Sequence, residues 1–208
     1  SFGDISTFSF YANKHITTGE GGMIVTNDKL LSERCKSLRN LCFQEEKRFV
    51  HTELGWNYRM TNLQAAVGLA QLECLHQFIT KKRLIGDFYR ENIRFDEFFD
   101  FQKYKTKYAT NICWVFGIVL KDKCDFSVDS IRNRLAKKGV GTRPFFYPLH
   151  KQPVLKDFKN INLDNDLPVS ESLYEKGFYL PSGLGLTEQD LTHVVKSLND
   201  VMEELLAR

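Results

Sequence analysis

Two short apolar runs separated by a glycine-rich connection constrain the fold of this chain more than any other feature. The β-prone run from Ser6 to Tyr11 reads as a strand, and Gly22-Met23-Ile24-Val25-Thr26 reads as a second. Between them lie Lys14, His15-Ile16-Thr17-Thr18 and Gly19-Glu20-Gly21-Gly22, whose glycines reach backbone shapes closed to other residues. Lys14 therefore sits on a tight strand-to-strand connection, with Ser9 five residues before it. A small hydroxyl donor and a primary amine in one connection suit a phosphorylated aldehyde, the hydroxyl for a phosphate oxygen and the amine for the carbonyl carbon. On spacing alone, the ordinary alternatives are a solvated turn lysine and a strand serine satisfied by backbone.

After this connection Asn27 or Asp28 can cap a helix whose Leu31, Cys35 and Leu38 fall on one face. Residues 41–58 lose periodicity, with Phe43, Phe49 and Trp56 among charges, and such long irregular stretches are more often functional or interfacial than idle. Thr61-Asn62-Leu63-Gln64 fits a capping box that opens a long helix. Its apolar stripe holds Leu63, Ala66, Val67, Ala70, Leu75, Phe78 and Ile79, and Gly86 weakens the case for an unbroken run to Ile93. A helix of this kind links domains, which places a boundary near Lys81 and divides the chain into 1–80 and 81–208.

Beyond the boundary, strand and helix alternate. Asn111 to Leu120 reads as a strand, Ser127 opens a helix that Gly139 ends, and Val140 to Phe146 reads as another strand before a loop with Pro144, Pro148 and Pro153. Gly177 ends a short helix from Ser170, and Phe178 to Leu180 extends. Thr187-Glu188-Gln189-Asp190 then caps a last helix striped with Leu191, Val194, Val195, Leu198, Val201, Met202 and Leu205. The pattern predicts a compact α/β domain with helices on a small sheet.

Composition narrows the partners. Lys and Arg number 29 against 26 Asp and Glu, a net charge of +3 that is too slight to argue for nucleic acid. No apolar run approaches a membrane span. The five cysteines lack C-x-x-C spacing, which points to reduced thiols and a cytoplasmic setting, and the histidines show no metal-ligand spacing.

The strings S-F-Y-A-N-K-H-I-T-T-G-E-G-G-M at 9–23, L-G-W-N-Y-R-M-T-N-L-Q-A-A-V-G-L-A-Q-L-E at 54–73 and G-T-R-P-F-F-Y-P-L-H-K-Q-P at 141–153 resemble the DegT/StrS family of sugar aminotransferases. The resemblance implies an α/β fold, the C-terminal portion of a fold-type I (aspartate aminotransferase-like) enzyme. Residues 1–80 then end the large cofactor-binding domain, and residues 81–208 form the small C-terminal α/β domain. It implies pyridoxal 5'-phosphate as cofactor, with Lys14 carrying it, Ser9 on its phosphate, and Asn57 reaching that phosphate from the other subunit of a homodimer. Related enzymes that remove a sugar hydroxyl carry histidine at the lysine position, so Lys14 favours amino transfer over dehydration.

The implied reaction moves an amino group from glutamate to a nucleotide-linked 4-keto-6-deoxy sugar of the perosamine type. Arg59 suits an anionic group or a structural ion pair. Arg143, Tyr147 and His150 lie on a proline-stiffened loop that combines a guanidinium, a phenol and an imidazole, chemistry suited to a sugar nucleotide. The rival readings are another keto-sugar, a cyclitol ketone, or a non-catalytic relative acting as an interaction module. Relatives supply the rest of the cofactor pocket from a sheet that precedes the lysine strand, so the resemblance also implies that these 208 residues need further chain to be active.

Overall fold

A computed structural model describes residues 3–155 and 166–207 of the chain. It divides into two compact units, Ser1–Phe78 and Ile79–Arg208.

In the first unit, strands β1 (Ser6–Ser9) and β2 (Gly22–Val25) form an antiparallel pair in the register Ser6 to Val25 through Ser9 to Gly22. The pairing leaves the lysine connection as one long loop at the closed end of the ribbon. Asp28 caps helix α1 (Lys29–Arg39), its Oδ1 accepting from Leu31 N at 3.0 Å. The capping box predicted at Thr61 is present and opens helix α2 (Asn62–Glu73), with Gln64 N donating to Thr61 Oγ1 and Thr61 N donating to Gln64 Oε1.

The expected single long helix is interrupted at Cys74 rather than weakened at Gly86: Cys74 closes α2, and helix α3 (Leu75–Asn92) follows at once. Gly86 is needed for close packing, since a Cβ there would lie 2.6 Å from Cys113 Sγ. The apolar stripe of α2 is not buried; Leu63 is 82% and Val67 51% exposed. Among the described residues of the first unit only Thr18 and Cys42 are buried. Hydrogen bonds therefore carry more of its organisation than a core does.

The second unit is built the other way. Strands β3 (Phe99–Phe101), β4 (Phe116–Leu120), β5 (Arg143–Pro144) and β6 (Gly177–Leu180) form an antiparallel sheet in the order β3-β4-β6-β5. Helices α4 (Val128–Lys137), α5 (Pro168–Lys176) and α6 (Glu188–Leu206) complete it. The predicted stripe of α6 is buried in full, from Leu191 to Leu205, and shares one core with Ile131 and Leu135 of α4, Ile118 of β4 and Phe178 of β6. Burying each such side chain is worth roughly 1.5–3 kcal/mol, which makes this cluster the main source of stability.

Two predicted strands are shorter than expected, and β3 has no counterpart in the sequence reading. Residues 111–115 stay out of β4 because Asn111 Oδ1 accepts from Cys113 N at 2.7 Å and Cys113 is held at φ 51°. β5 keeps two residues: Val140 N is taken by the Leu135 carbonyl at the end of α4, at 2.9 Å, and Pro144 has no N–H to offer.

Among the described residues of this unit Lys82 is the buried cation, only 7% exposed. Its Nζ donates to the Trp114 carbonyl at 2.8 Å and to the Ser182 carbonyl, tying α3 to the chain entering β4 and leaving β6. Burial pushes its pKa below the usual lysine value.

Candidate active site

The lysine connection is laced shut at its base. Phe10 N donates to the Gly21 carbonyl at 2.9 Å, and the Phe10 carbonyl accepts from Thr18 N at 3.0 Å and from Thr17 Oγ1 at 3.1 Å. Gly21 stands at φ 145°, and a Cβ there would meet Thr18 Oγ1 at 2.7 Å, so the return arm accepts glycine alone. Within the loop, Lys14 N donates to the Tyr11 carbonyl at 3.0 Å, and Lys14 is half-buried. Ser9 is exposed, and its Oγ accepts from Tyr11 N at 3.4 Å. That contact uses an acceptor lone pair of Ser9 and leaves its O–H available to donate. Ser9 ends β1 and Lys14 lies five residues on in the loop that follows, so a hydroxyl and an amine share one strand-and-loop segment.

Asn57 and Arg59 belong to a second construction of the same unit. Asn40 and Asn57 form an isolated antiparallel bridge, reinforced by Leu41 N donating to the Trp56 carbonyl and Tyr58 N to the Arg39 carbonyl, both at 3.0 Å. The irregular 41–58 stretch is thereby an Ω-like loop closed at its neck. Leu41 and Cys42 both take positive φ, 62° and 49°, at the tightest point of the neck. Gly55 passes so close that a Cβ would lie 2.5 Å from the Cys42 nitrogen. Arg59 Nη1 donates to Asn40 Oδ1 at 2.7 Å, so Arg59 braces the neck that holds Asn57. Trp56 and Tyr58 stack with centroids 6.1 Å apart on either side of exposed Asn57.

Arg143, Tyr147 and His150 lie in the second unit. Arg143 is in β5 and exposed, paired in register with Tyr179. His150 Nε2 lies 2.9 Å from Glu171 Oε1, and Lys151 binds the other oxygen of the same carboxylate. Those two bonds, Lys151 first, hold the Glu171 carboxyl below its ordinary range. Tyr147 meets Tyr174 edge-on at 5.1 Å. The structure therefore brings Tyr147 and His150 together against α5, where Glu171 and Tyr174 engage them. Neither partner was legible in advance, because a pairing across some twenty residues leaves no local signal. Gln64 was read only as a cap; its Nε2 also donates to the Glu20 carbonyl at 3.0 Å, on the lysine loop.

Among the described residues no cluster of His, Cys, Asp and Glu could hold a metal, and no helix is long and apolar enough to cross a membrane.

A strand, lysine loop and strand, followed by a small antiparallel α/β unit, are part of a fold-type I aminotransferase fold. The same architecture is found in the aminotransferase TlmJ from Streptoalloteichus hindustanus, at a TM-score of 0.85 and 24% identity, covering 98% of this chain and 53% of that one. It recurs in the E. coli GDP-4-keto-6-deoxy-D-mannose-3-dehydratase with bound hydrated PLP, at a TM-score of 0.81 and 22% identity, covering 95% of this chain and 55% of that one. The chain belongs to the DegT/DnrJ/EryC1/StrS aminotransferase family, whose model matches residues 1–199. GDP-perosamine synthase of Escherichia coli O157:H7 is 40% identical to it over 200 residues, covering 96% of this chain and 52% of the relative. The chain thus spans about half the length of the relatives it matches.

Proposed function

We propose that this chain supplies the lysine-bearing part of a pyridoxal phosphate-dependent aminotransferase that uses glutamate to aminate a nucleotide-linked 4-keto-6-deoxy sugar. A GDP-linked, perosamine-type product is the first choice, supported by the 40% identity to a GDP-perosamine synthase. The observation that carries the reading is Lys14 on a loop whose base is laced by the Phe10, Thr18 and Gly21 backbone bonds.

In this reading Lys14 Nζ holds the cofactor aldehyde, and Ser9 Oγ–H donates to its phosphate. Asn57, presented at the neck of the 41–58 loop, donates to the phosphate of a second copy in a shared-site homodimer. Bound pyridoxal phosphate supplies an electron sink that makes a proton on the nitrogen-bearing substrate carbon removable. Once the incoming amine has displaced it from the cofactor, Lys14 Nζ would move that proton between the substrate carbon and the cofactor carbon, taking it as base and returning it as acid within each half-reaction. Arg59 braces Asn40 and hence the neck. Arg143, with Tyr147 and His150 on the α5-anchored loop, recognises the sugar nucleotide.

Lys14→Ala in the complete enzyme tests this directly. Amino transfer from glutamate, followed as 2-oxoglutarate release with a panel of nucleotide keto-sugars, is expected to fall by at least about a thousandfold while the far-ultraviolet spectrum is unchanged. Turnover near the parent rate would exclude Lys14 from the chemistry.

A further inference from the structure

The Gln64 carboxamide does two jobs with its two ends. Its Oε1 accepts from Thr61 N at 3.0 Å and lies 3.2 Å from Thr61 Oγ1, completing the capping box of α2. Its Nε2 donates to the Glu20 carbonyl, 44 residues away in the return arm of the lysine loop. A capping box works equally well with glutamate at this position, so the cap does not require an amide. The donor end does require one: a carboxylate facing the Glu20 carbonyl would repel it.

A second contact lies one helical turn on. Residues four apart share a helix face, and Gly68 follows Gln64 at that spacing. Thr18, only 8% exposed, presses its methyl on Gly68 so closely that a Cβ there would sit 2.9 Å from Thr18 Cγ2. Thr18 Oγ1 in turn donates to the same Glu20 carbonyl at 2.8 Å. The return arm's other bonds run to the outgoing arm, Phe10 N to the Gly21 carbonyl and Thr18 N to the Phe10 carbonyl, and Gly19, at φ 77°, has nothing near its Cβ position. The first two turns of α2 therefore form a platform under the return arm.

We propose that Gln64 is a positioning residue for Lys14. Through Glu20 and Thr18 it fixes the lysine loop, and the small size of Gly68 lets the loop seat on the helix. This inference rests on the reading of Lys14 as the cofactor lysine, and its test keeps the two apart.

Three variants, made in the complete enzyme, separate the jobs. Gln64→Glu keeps the cap and loses the loop bond, Gln64→Met loses both, and Thr61→Ala weakens the cap while leaving the loop bond. The first readout is amide hydrogen exchange at Phe10 and Thr18, both hydrogen-bonded in the loop base. Exchange is expected to quicken about five- to tenfold in both Gln64 variants, as the loss of one hydrogen bond implies, and to stay at the parent rate in Thr61→Ala.

The second readout is the rate at which pyridoxal phosphate and borohydride fix an adduct on Lys14 relative to the exposed Lys29, counted by peptide mass spectrometry. That selectivity should fall about tenfold in Gln64→Glu and Gln64→Met and hold in Thr61→Ala, because an amine displaced from its productive position loses its advantage. A helix-stability role alone would give the reverse order, with Thr61→Ala affected and Gln64→Glu spared. Parent-like exchange and selectivity in Gln64→Glu overturn the proposal. If the parent shows no preference for Lys14, the cofactor-lysine reading and the proposal both fail, and the exchange data then report only whether the loop clamp exists.

Discussion

The two units of this chain solve the same folding problem by different means. The second unit buries a continuous cluster running from Ile85 to Leu205, drawn from every helix but α5 and from three of its four strands. The first buries only Thr18 and Cys42 among its described residues, and its β-ribbon exposes Phe8 on β1 and Ile24 on β2. What organises the first unit is a set of directional bonds: the laced base of the lysine loop, the Asn40 to Asn57 neck, and the Gln64 bond to Glu20. Apolar burial is strong and non-directional, whereas hydrogen bonds are individually weak but fix positions closely. A unit whose loops must be fixed closely can be built around the second kind of force. A unit that supplies stability needs the first.

The contrast is most exposed to single truncations. Leu198→Ala, at a fully buried position of α6, should cost about 3 kcal/mol in denaturant unfolding of the whole chain. Val67→Ala on the exposed stripe of α2 should change stability by no more than about 0.5 kcal/mol, since it removes little buried surface and improves helix propensity. A cost of more than about 1.5 kcal/mol for Val67→Ala would erase the distinction, and would mean that the stripe is covered in solution.

A somewhat smaller effect should come from Lys82, where the second unit itself relies on directional bonds. Lys82→Ala strands the Trp114 and Ser182 carbonyls and should cost about 2 kcal/mol. Its pH signature has a definite sign. The folded-state pKa lies below the ordinary 10.5, so between the two values the unfolded chain binds more protons, and stability rises with pH up to about 10.5. Urea midpoints measured from pH 8 upward should show that rise in the parent and lose it in Lys82→Ala. A matching slope in both would assign it to another group.

The smallest effect concerns the loop carrying Tyr147 and His150. The Glu171 carboxyl is held below its ordinary 4.5, so its contribution is complete above that value and disappears as pH falls through the depressed one. Near-ultraviolet circular dichroism of the Tyr147 and Tyr174 pair should therefore show an acid transition below pH 4.5 that Glu171→Gln lacks. The same transition in Glu171→Gln would show that other groups anchor the loop.

How much of this was legible beforehand follows from the range of the interactions involved. Asp28, Thr61, Ser127 and Thr187 were readable as helix starts because a cap is a bond to a backbone nitrogen two or three residues on, and all four side chains make that bond. The α6 stripe was readable because its period needs only the helix itself. The α2 stripe was readable as apolar, but its exposure was not, because amphipathicity gives the face that seeks cover and says nothing of whether cover is within reach. Strands at 111–115 and 140–146 were overextended because an Asx turn at Asn111, the end of α4 at Val140 and Pro144 cut into runs of favourable propensity.

At the candidate site, Lys14 and Ser9 were conspicuous as chemistry on a glycine-punctuated connection, whereas the groups that hold the site were silent. Residue type and local spacing fixed which atoms are available to react: an amine at position 14, a hydroxyl at position 9 and a carboxamide at position 57. The family strings attached a cofactor and a reaction to them. Only the tertiary structure decided that Arg59 grips Asn40, that His150 and Lys151 share the Glu171 carboxylate, and that Gln64 reaches from a helix cap to the lysine loop. Each of these bonds joins residues at least nineteen apart in the chain, and which distant groups meet is set by how the elements pack, which no local pattern records.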